Sequence, residues 1–164
     1  VELGAQALTI HGRTREHFYT GEVNFSIIRA VKEAFPHIPV IANGDIVDAE
    51  TALRCKKWTG ADGLMIGRAS FGDPWVFAQV SSAMAGESVP ERPALARRVD
   101  VAVRQFELAF EDKGEHIACL EARKHFAWYL RGVSHAAYYK KEICSIATID
   151  QAMKLIDDIK RDLK

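Results

Sequence analysis

The sequence predicts an α/β segment of about three βα units, read as the C-terminal portion of a (β/α)8 TIM barrel, followed by a small all-α helical bundle. Three observations carry this. Two short apolar runs, Pro39-Val-Ile-Ala-Asn-Gly-Asp-Ile46 and Gly63-Leu-Met-Ile-Gly-Arg68, each end abruptly in glycine beside a charged or amide residue, the pattern of strands buried on both faces. Helix-like segments alternate with them, which implies a parallel sheet. Beyond residue 93 the strand signal disappears and only helical periodicity remains. The two strand-end loops, each leading into a helix, offer backbone N–H groups that the sheet cannot use, and so make a phosphate cradle. In a barrel that cradle commonly follows strands seven and eight, which sets the working position of the pair.

The elements follow in order. Gln6-Ala-Leu-Thr-Ile-His-Gly12 is the first strand, and the loop after it, residues 13–21, is rich in cations and aromatics. Residues 24–35 carry Ile27, Ile28, Val31, Ala34 and Phe35 at helical spacing, and Pro36 and Pro39 close that helix. Asp48 is the expected N-cap of a helix running to Trp58, with Gly60 as its stop. After Arg68, Asp73 is expected to cap a helix with Pro74 in its first position, and Gly86 to end it. The stretch 87–93, which holds Pro90 and Pro93, is the best linker, so the domains are placed at residues 1–88 and 89–164. In the second, residues 94–113 set Leu95, Val99, Ala102, Val103, Phe106 and Phe110 on one side, and Gly114 ends that helix. Residues 115–131 form the next, stopped by Gly132, and about 136–147 the third. Thr148 and Gln151 make a capping box for the last, in which Ile149, Ala152, Ile156, Ile159 and Leu163 form one buried stripe.

Composition narrows the class. Lysine plus arginine and aspartate plus glutamate both number 22, and no apolar run approaches a membrane span, so a soluble chain without an evident anchor is expected. The opening Val1-Glu-Leu-Gly reads as the tail of a helix rather than a natural start, so a fragment is expected. Cys55, Cys119 and Cys144 are far apart and lack metal or redox spacing. They read as small buried or half-buried thiols in a reducing, cytoplasmic setting. Charge is uneven despite the balance: residues 122–141 hold Arg123, Lys124, Arg131, Lys140 and Lys141 with no carboxylate, interleaved with Phe126, Trp128, Tyr129, Tyr138 and Tyr139. That mixture suits a polyanion with bases to stack on, and equally an amphipathic helix whose aromatics are core.

The three strand ends open on one face of a parallel barrel, where sites are built. They bring together His11, the Asn43-Gly44-Asp45 loop and Gly67-Arg68. Small residues let backbone approach a phosphate closely, and Arg68 adds a charge-assisted bond. His11 can donate to a ring carbonyl or act as acid or base, or be structural. No Ser, Cys or Lys stands beside a base at a strand end.

Four motifs in this order resemble the tRNA-dihydrouridine synthases, most closely the bacterial B-type: Thr9-Ile-His-Gly-Arg-Thr-Arg15, Pro39-Val-Ile-Ala-Asn-Gly-Asp-Ile46, Thr59-Gly-Ala-Asp-Gly-Leu-Met-Ile-Gly-Arg68 and Gly72-Asp-Pro-Trp75. Ala122-Arg-Lys-His125 with Trp128-Tyr129 is similar to that family's helical-domain motif. The resemblance covers essentially the whole chain. It implies an FMN-dependent reduction of tRNA uridine to 5,6-dihydrouridine with NADPH, on a TIM barrel followed by a helical tRNA-binding domain. It further implies that Asn43, Gly44, Asp45, Gly67 and Arg68 hold the FMN phosphate and ribityl, and that His11 contacts the flavin. Arg13 and Arg15 would lie on the substrate side, and Arg123, Lys124 and Lys140 would face tRNA.

The family's catalytic cysteine, its flavin-binding lysine and its first strand have no counterpart among these residues. The resemblance therefore starts at strand six, and the polypeptide is expected to be inactive alone and to bind FMN weakly. Three units cannot close a barrel of about 250 residues. Open edges and an uncovered apolar face are expected, with dimerisation or domain swapping through them. Two other readings stand beside this one: a dihydroorotate-dehydrogenase-like flavoenzyme, and a non-catalytic RNA-binding module. Neither a metal nor a membrane partner is expected.

Overall fold

The computed structural model describes residues 4–16 and 20–163. The expectations for residues 1–3 and for the middle of the first loop, residues 17–19, lie outside the described residues. The chain divides into two compact units, one made of Val1–Ser70 and Trp75–Glu91, the other of Phe71–Pro74 and Arg92–Lys164.

The first unit is a parallel α/β sheet. Its elements are β1 (Leu8–His11), α1 (Phe25–Ala34), β2 (Val40–Asn43), α2 (Ala49–Thr59), β3 (Gly63–Met65), a 3-10 turn at Arg68–Ser70 and α3 (Val76–Ala85). The strands lie in the order β1-β2-β3, and the register pairs His11 with Asn43 and Asn43 with Met65, so the three C-terminal ends are level. Alternation along β2 shows which face is covered: Val40 and Ala42 are fully buried, whereas Ile41 and Asn43 point to the other side and are only partly so. Val40 and Ala42 belong to a cluster with Ile28 of α1, Ala52 and Cys55 of α2, and Val76 and Val80 of α3. The runs predicted to be buried on both faces are thus covered on one. On the other, which carries His11, Ile41 and Met65, Met65 remains 44% exposed.

Local signals explain the helix bounds. Asn24 caps α1 by accepting from the Ser26 N–H. Asp48 and Thr51 form a reciprocal capping box on α2, which Gly60 ends in the left-handed region. At the N-terminal end of the sheet, Asp62 accepts from the Val40 N–H at 2.8 Å and pairs with Lys32 at 2.7 Å. This pins the lead into β3 to the start of β2. One expectation is corrected here. Asp73 does not cap α3, whose first turn has Trp75 in front of it and no side-chain cap. Asp73 instead pairs with Arg92 at 3.1 Å, an opposite charge being a stronger attraction than a cap's single amide.

The second unit is helical: α4 (Leu95–Tyr129), α5 (Ala137–Ile143) and α6 (Ile149–Asp162). Gly114, at φ 77° and ψ 170°, breaks α4 into two arms at the residue where the sequence ends one helix and starts another. The arms are joined by Phe106 against Phe126, by the Tyr129 hydroxyl donating to Gln105, and by the buried Arg98 donating to the Tyr129 carbonyl at 2.7 Å. On α6, Ala152, Leu155, Ile156 and Ile159 are buried, as is Leu163 just past its end, while Ile149 of the expected stripe is only partly so. Thr148 accepts from the Gln151 N–H, but Gln151 reaches Ala147 rather than closing the box on Thr148 itself. Phe71 stacks on Trp128 with ring centroids 4.3 Å apart, and Arg92 donates to the Gly72 carbonyl, so the short segment before α3 packs with the helices.

Candidate functional site

The level strand ends bring the predicted residues of the first unit together. The Asn43 carbonyl accepts from the Gly12 N–H at 3.1 Å and from His11 Nδ1 at the same distance. A carbonyl only accepts, so Nδ1 carries the proton and a neutral His11 keeps Nε2 as an acceptor. The Asn43 side chain donates in turn to the Met65 carbonyl at 2.9 Å, which extends the ladder from β2 to β3. His11 and Asn43 are therefore held by the sheet on one side and open to solvent on the other.

Just beyond them lies a charged triad. Arg13 forks onto Asp45, with Nη1 donating to Oδ1 at 2.9 Å and Nη2 to Oδ2. Its remaining contacts go to the Thr20 and Gly21 carbonyls, and its side chain is only 4% exposed. Arg68 donates to Asp45 Oδ1 at 3.3 Å from a position that is 53% exposed. The Arg13 guanidinium holds the Asp45 carboxyl below the usual carboxylate range, and the charge of Arg68 lowers it further. Reciprocally, Asp45 raises the Arg13 pKa. Two guanidiniums against one carboxylate leave a net positive charge at the strand ends.

This local arrangement suits an anion. The backbone N–H groups of Gly44, Asp45 and Gly67 have no partner among the described residues. Asp45 sits at φ 46°, in the left-handed region that aspartate tolerates better than most side chains. At Gly67 nothing lies within 4 Å of where a Cβ would stand, so the space beside the end of β3 is open to a ligand. Gly44 is different: a Cβ there would fall 2.8 Å from Val23, so packing by the first loop already requires glycine. The Asp45 carboxylate is engaged with Arg13 and Arg68, and what it offers a phosphate is its amide. Among the described residues no group of three or more His, Cys, Asp or Glu is arranged to hold a metal ion. No described helix is long and apolar enough to cross a membrane.

In the second unit, the basic stretch divides. Phe126, Tyr129 and Tyr139 are buried, so for these three the core reading holds over stacking on bases. Trp128 is in contact with Phe71 on its face, with His125 edge-on at 5.2 Å, and with the Lys124 ammonium 5.8 Å from its centroid. Tyr138 alone of the five is mostly exposed, at 63%. Arg123 donates through Nε to the Ile146 carbonyl at 2.8 Å, which ties α4 to the turn before α6. Lys124 is exposed, Lys140 half-buried and Arg15 exposed. His125 is desolvated by burial, which pushes its pKa down.

Sequence reading took Arg13 and Asp45 as separate contributors and missed their pairing. The signal was present. In the register His11 faces Asn43, and Arg13 and Asp45 each stand two residues past those partners. Opposite charges at equal offset from paired strand ends are placed to meet.

The dihydrouridine synthase (Dus) family model matches residues 1–164. The tRNA-dihydrouridine synthase B of Pasteurella multocida is 40% identical over 145 residues, which cover 88% of this chain and 43% of that protein. The tRNA-dihydrouridine synthase B of Vibrio cholerae is 38% identical over 157 residues, 95% of this chain and 48% of that one. A probable tRNA-dihydrouridine synthase of Mycobacterium tuberculosis H37Rv is 36% identical over 154 residues, 94% and 40% respectively. The chain thus spans less than half the length of these curated relatives. With the family's description matched from end to end, the chain belongs to the dihydrouridine synthase family.

Proposed function

We propose that this chain is the C-terminal part of an FMN-dependent tRNA-dihydrouridine synthase, a cytoplasmic enzyme that reduces uridine in tRNA to 5,6-dihydrouridine with NADPH as reductant. On this reading residues 1–88 belong to a TIM-barrel catalytic domain and residues 89–164 form a helical tRNA-binding domain. The observation that carries it is the set of amides of Gly44, Asp45 and Gly67, without a partner among the described residues, beside the Arg68 guanidinium. These would hold the FMN phosphate and ribityl together with Asn43. FMN, when bound, supplies the two-electron reduction. The chain's own groups position it: His11, fixed through Nδ1, presents its other ring nitrogen to the flavin. Arg15 is exposed and lies on the substrate side, whereas Arg13, expected there too, is turned inward onto Asp45 and the Thr20 and Gly21 carbonyls. Lys124, Lys140 and the outer nitrogens of Arg123 neutralise tRNA phosphates.

The test is purification of the longest natural polypeptide that contains this chain, followed by incubation with unmodified tRNA and NADPH. Bound flavin and new dihydrouridine support the reading. A protein that takes up no FMN and forms no dihydrouridine refutes it. The 164 residues by themselves should form none, because the family's catalytic cysteine has no counterpart among them and Cys55 and Cys119 are buried in helices. Dihydrouridine made by this polypeptide alone would overturn that. Light scattering should find it self-associated, through the outer edges of β1 and β3, which pair with no further strand among the described residues.

A further inference from the structure

The geometry points to Arg13 as a positioning residue for Arg68, acting through Asp45. This rests on the reading of the strand ends as a phosphate site. A residue that meets RNA should present free donors to solvent, but Arg13 does the opposite. Of the five N–H groups of a guanidinium, four are engaged: Nε–H is shared by the Thr20 and Gly21 carbonyls, both hydrogens of Nη2 go to Asp45 and Gly21, and one of Nη1 goes to Asp45. The side chain is 4% exposed, against 53% for Arg68.

The two-point fork fixes both the place and the plane of the Asp45 carboxylate. Without it, a side chain that is 41% exposed and stands on left-handed backbone would be free to turn into solvent. The same oxygen that receives Arg13 Nη1, Oδ1, also receives Arg68 Nη2 at 3.3 Å. Asp45 is therefore a relay. Arg13 orients the carboxylate, the carboxylate draws the Arg68 guanidinium to the end of β3, and the open space at Gly67 lies next to it.

The test measures flavin binding rather than turnover. The longest natural polypeptide containing this chain is titrated with FMN and with riboflavin, which lacks the phosphate, by quenching of flavin fluorescence. In the unaltered protein FMN should bind more tightly. Arg13→Met should reduce that preference on the order of tenfold, as should Arg68→Met, the scale of one charge-assisted bond. The double variant should fall no more than about twofold below Arg68→Met, because Arg13 acts through Arg68. Arg13→Lys keeps the charge but cannot fork, so it should hold riboflavin normally and lose part of the preference for FMN. If Arg13→Met loses riboflavin as well, its fold has gone and Arg13→Lys decides. An Arg13→Met or Arg13→Lys protein with the full preference, or additive losses in the double variant, overturns the positioning role alone. An unaltered protein that binds riboflavin as tightly as FMN overturns the phosphate reading, and this inference with it.

Discussion

Alanine at Gly72 would set a methyl group 2.4 Å from the Trp128 carbonyl carbon, 2.5 Å from the Tyr129 nitrogen and 2.7 Å from the Trp128 Cβ. Two of these are backbone atoms of α4, so no side chain can swing away to make room. The backbone at Gly72 also stands at φ 69°, which costs an L residue about 1 kcal/mol before any contact is counted. Overpacking in a closed site adds about 1–3 kcal/mol. The expected total is about 2–4 kcal/mol. For a chain of this length each kcal/mol moves the melting temperature by about 2–4 °C, so Gly72→Ala should melt roughly 10 °C lower. The assay is thermal unfolding followed by circular dichroism at 222 nm, about the standard wavelength for helix. Gly67→Ala is the control: its methyl would meet nothing within 4 Å, and it should melt within about 1 °C of the parent. A Gly72→Ala protein that melts within about 2 °C of the parent would refute the reasoning, because the segment before α3 would then not be held against α4 as described.

Further outcomes follow from single contacts. Asp48→Ala removes the carboxylate half of the capping box on α2, leaving the Thr51 hydroxyl to accept from the backbone N–H of residue 48, and should cost about 1 kcal/mol in urea unfolding at neutral pH. Amide and hydroxyl bonds from Thr51 hold the Asp48 carboxyl below its usual range, so its stabilisation is present above the unfolded-state value near about 3.9. It is lost as pH falls through the depressed folded value, and the difference between parent and variant should vanish there; a gap that stays constant into acid would contradict the cap. The same sign holds for Asp45, which Arg13 depresses. Burial pushes the Cys55 and Cys119 thiols up, while Cys144 is exposed. A thiol reagent should therefore label Cys144 quickly in the native protein and reach the other two only after denaturation.

Much of the architecture was legible because local chemistry decides it. Asn24, Asp48, Gly60, Gly86 and Gly114 mark helix ends in the sequence and do so in the structure. Asp73 misled because its preference for a cap is weak beside a half-buried arginine that stands far along the chain, and no local window contains Arg92. Burial on both faces of the strands was read from continuous apolar runs, yet such runs record the partners that a sheet requires, not whether the described chain supplies them. At the candidate site, the strand-end residues were visible in the sequence, but how they pair with one another was not. Arg13 and Asp45 form an ion pair across 32 positions of sequence separation, which only the register of β1 on β2 brings within reach. The aromatic stretch after Ala122 was ambiguous for a related reason. Helical spacing places Phe126, Tyr129 and Tyr139 on faces that become core only once α5 and α6 are packed against α4.

The central claim is that the strand-end loops serve a flavin that reduces uridine in tRNA. It is tested most directly in cells from which the natural gene encoding this chain has been deleted, by mapping dihydrouridine in total tRNA with mass spectrometry. The account predicts that at least one tRNA position loses dihydrouridine, that the natural gene restores it, and that the same gene carrying Arg68→Met, at equal protein abundance, does not. Dihydrouridine unchanged at every position after deletion, or full restoration by Arg68→Met, would contradict it.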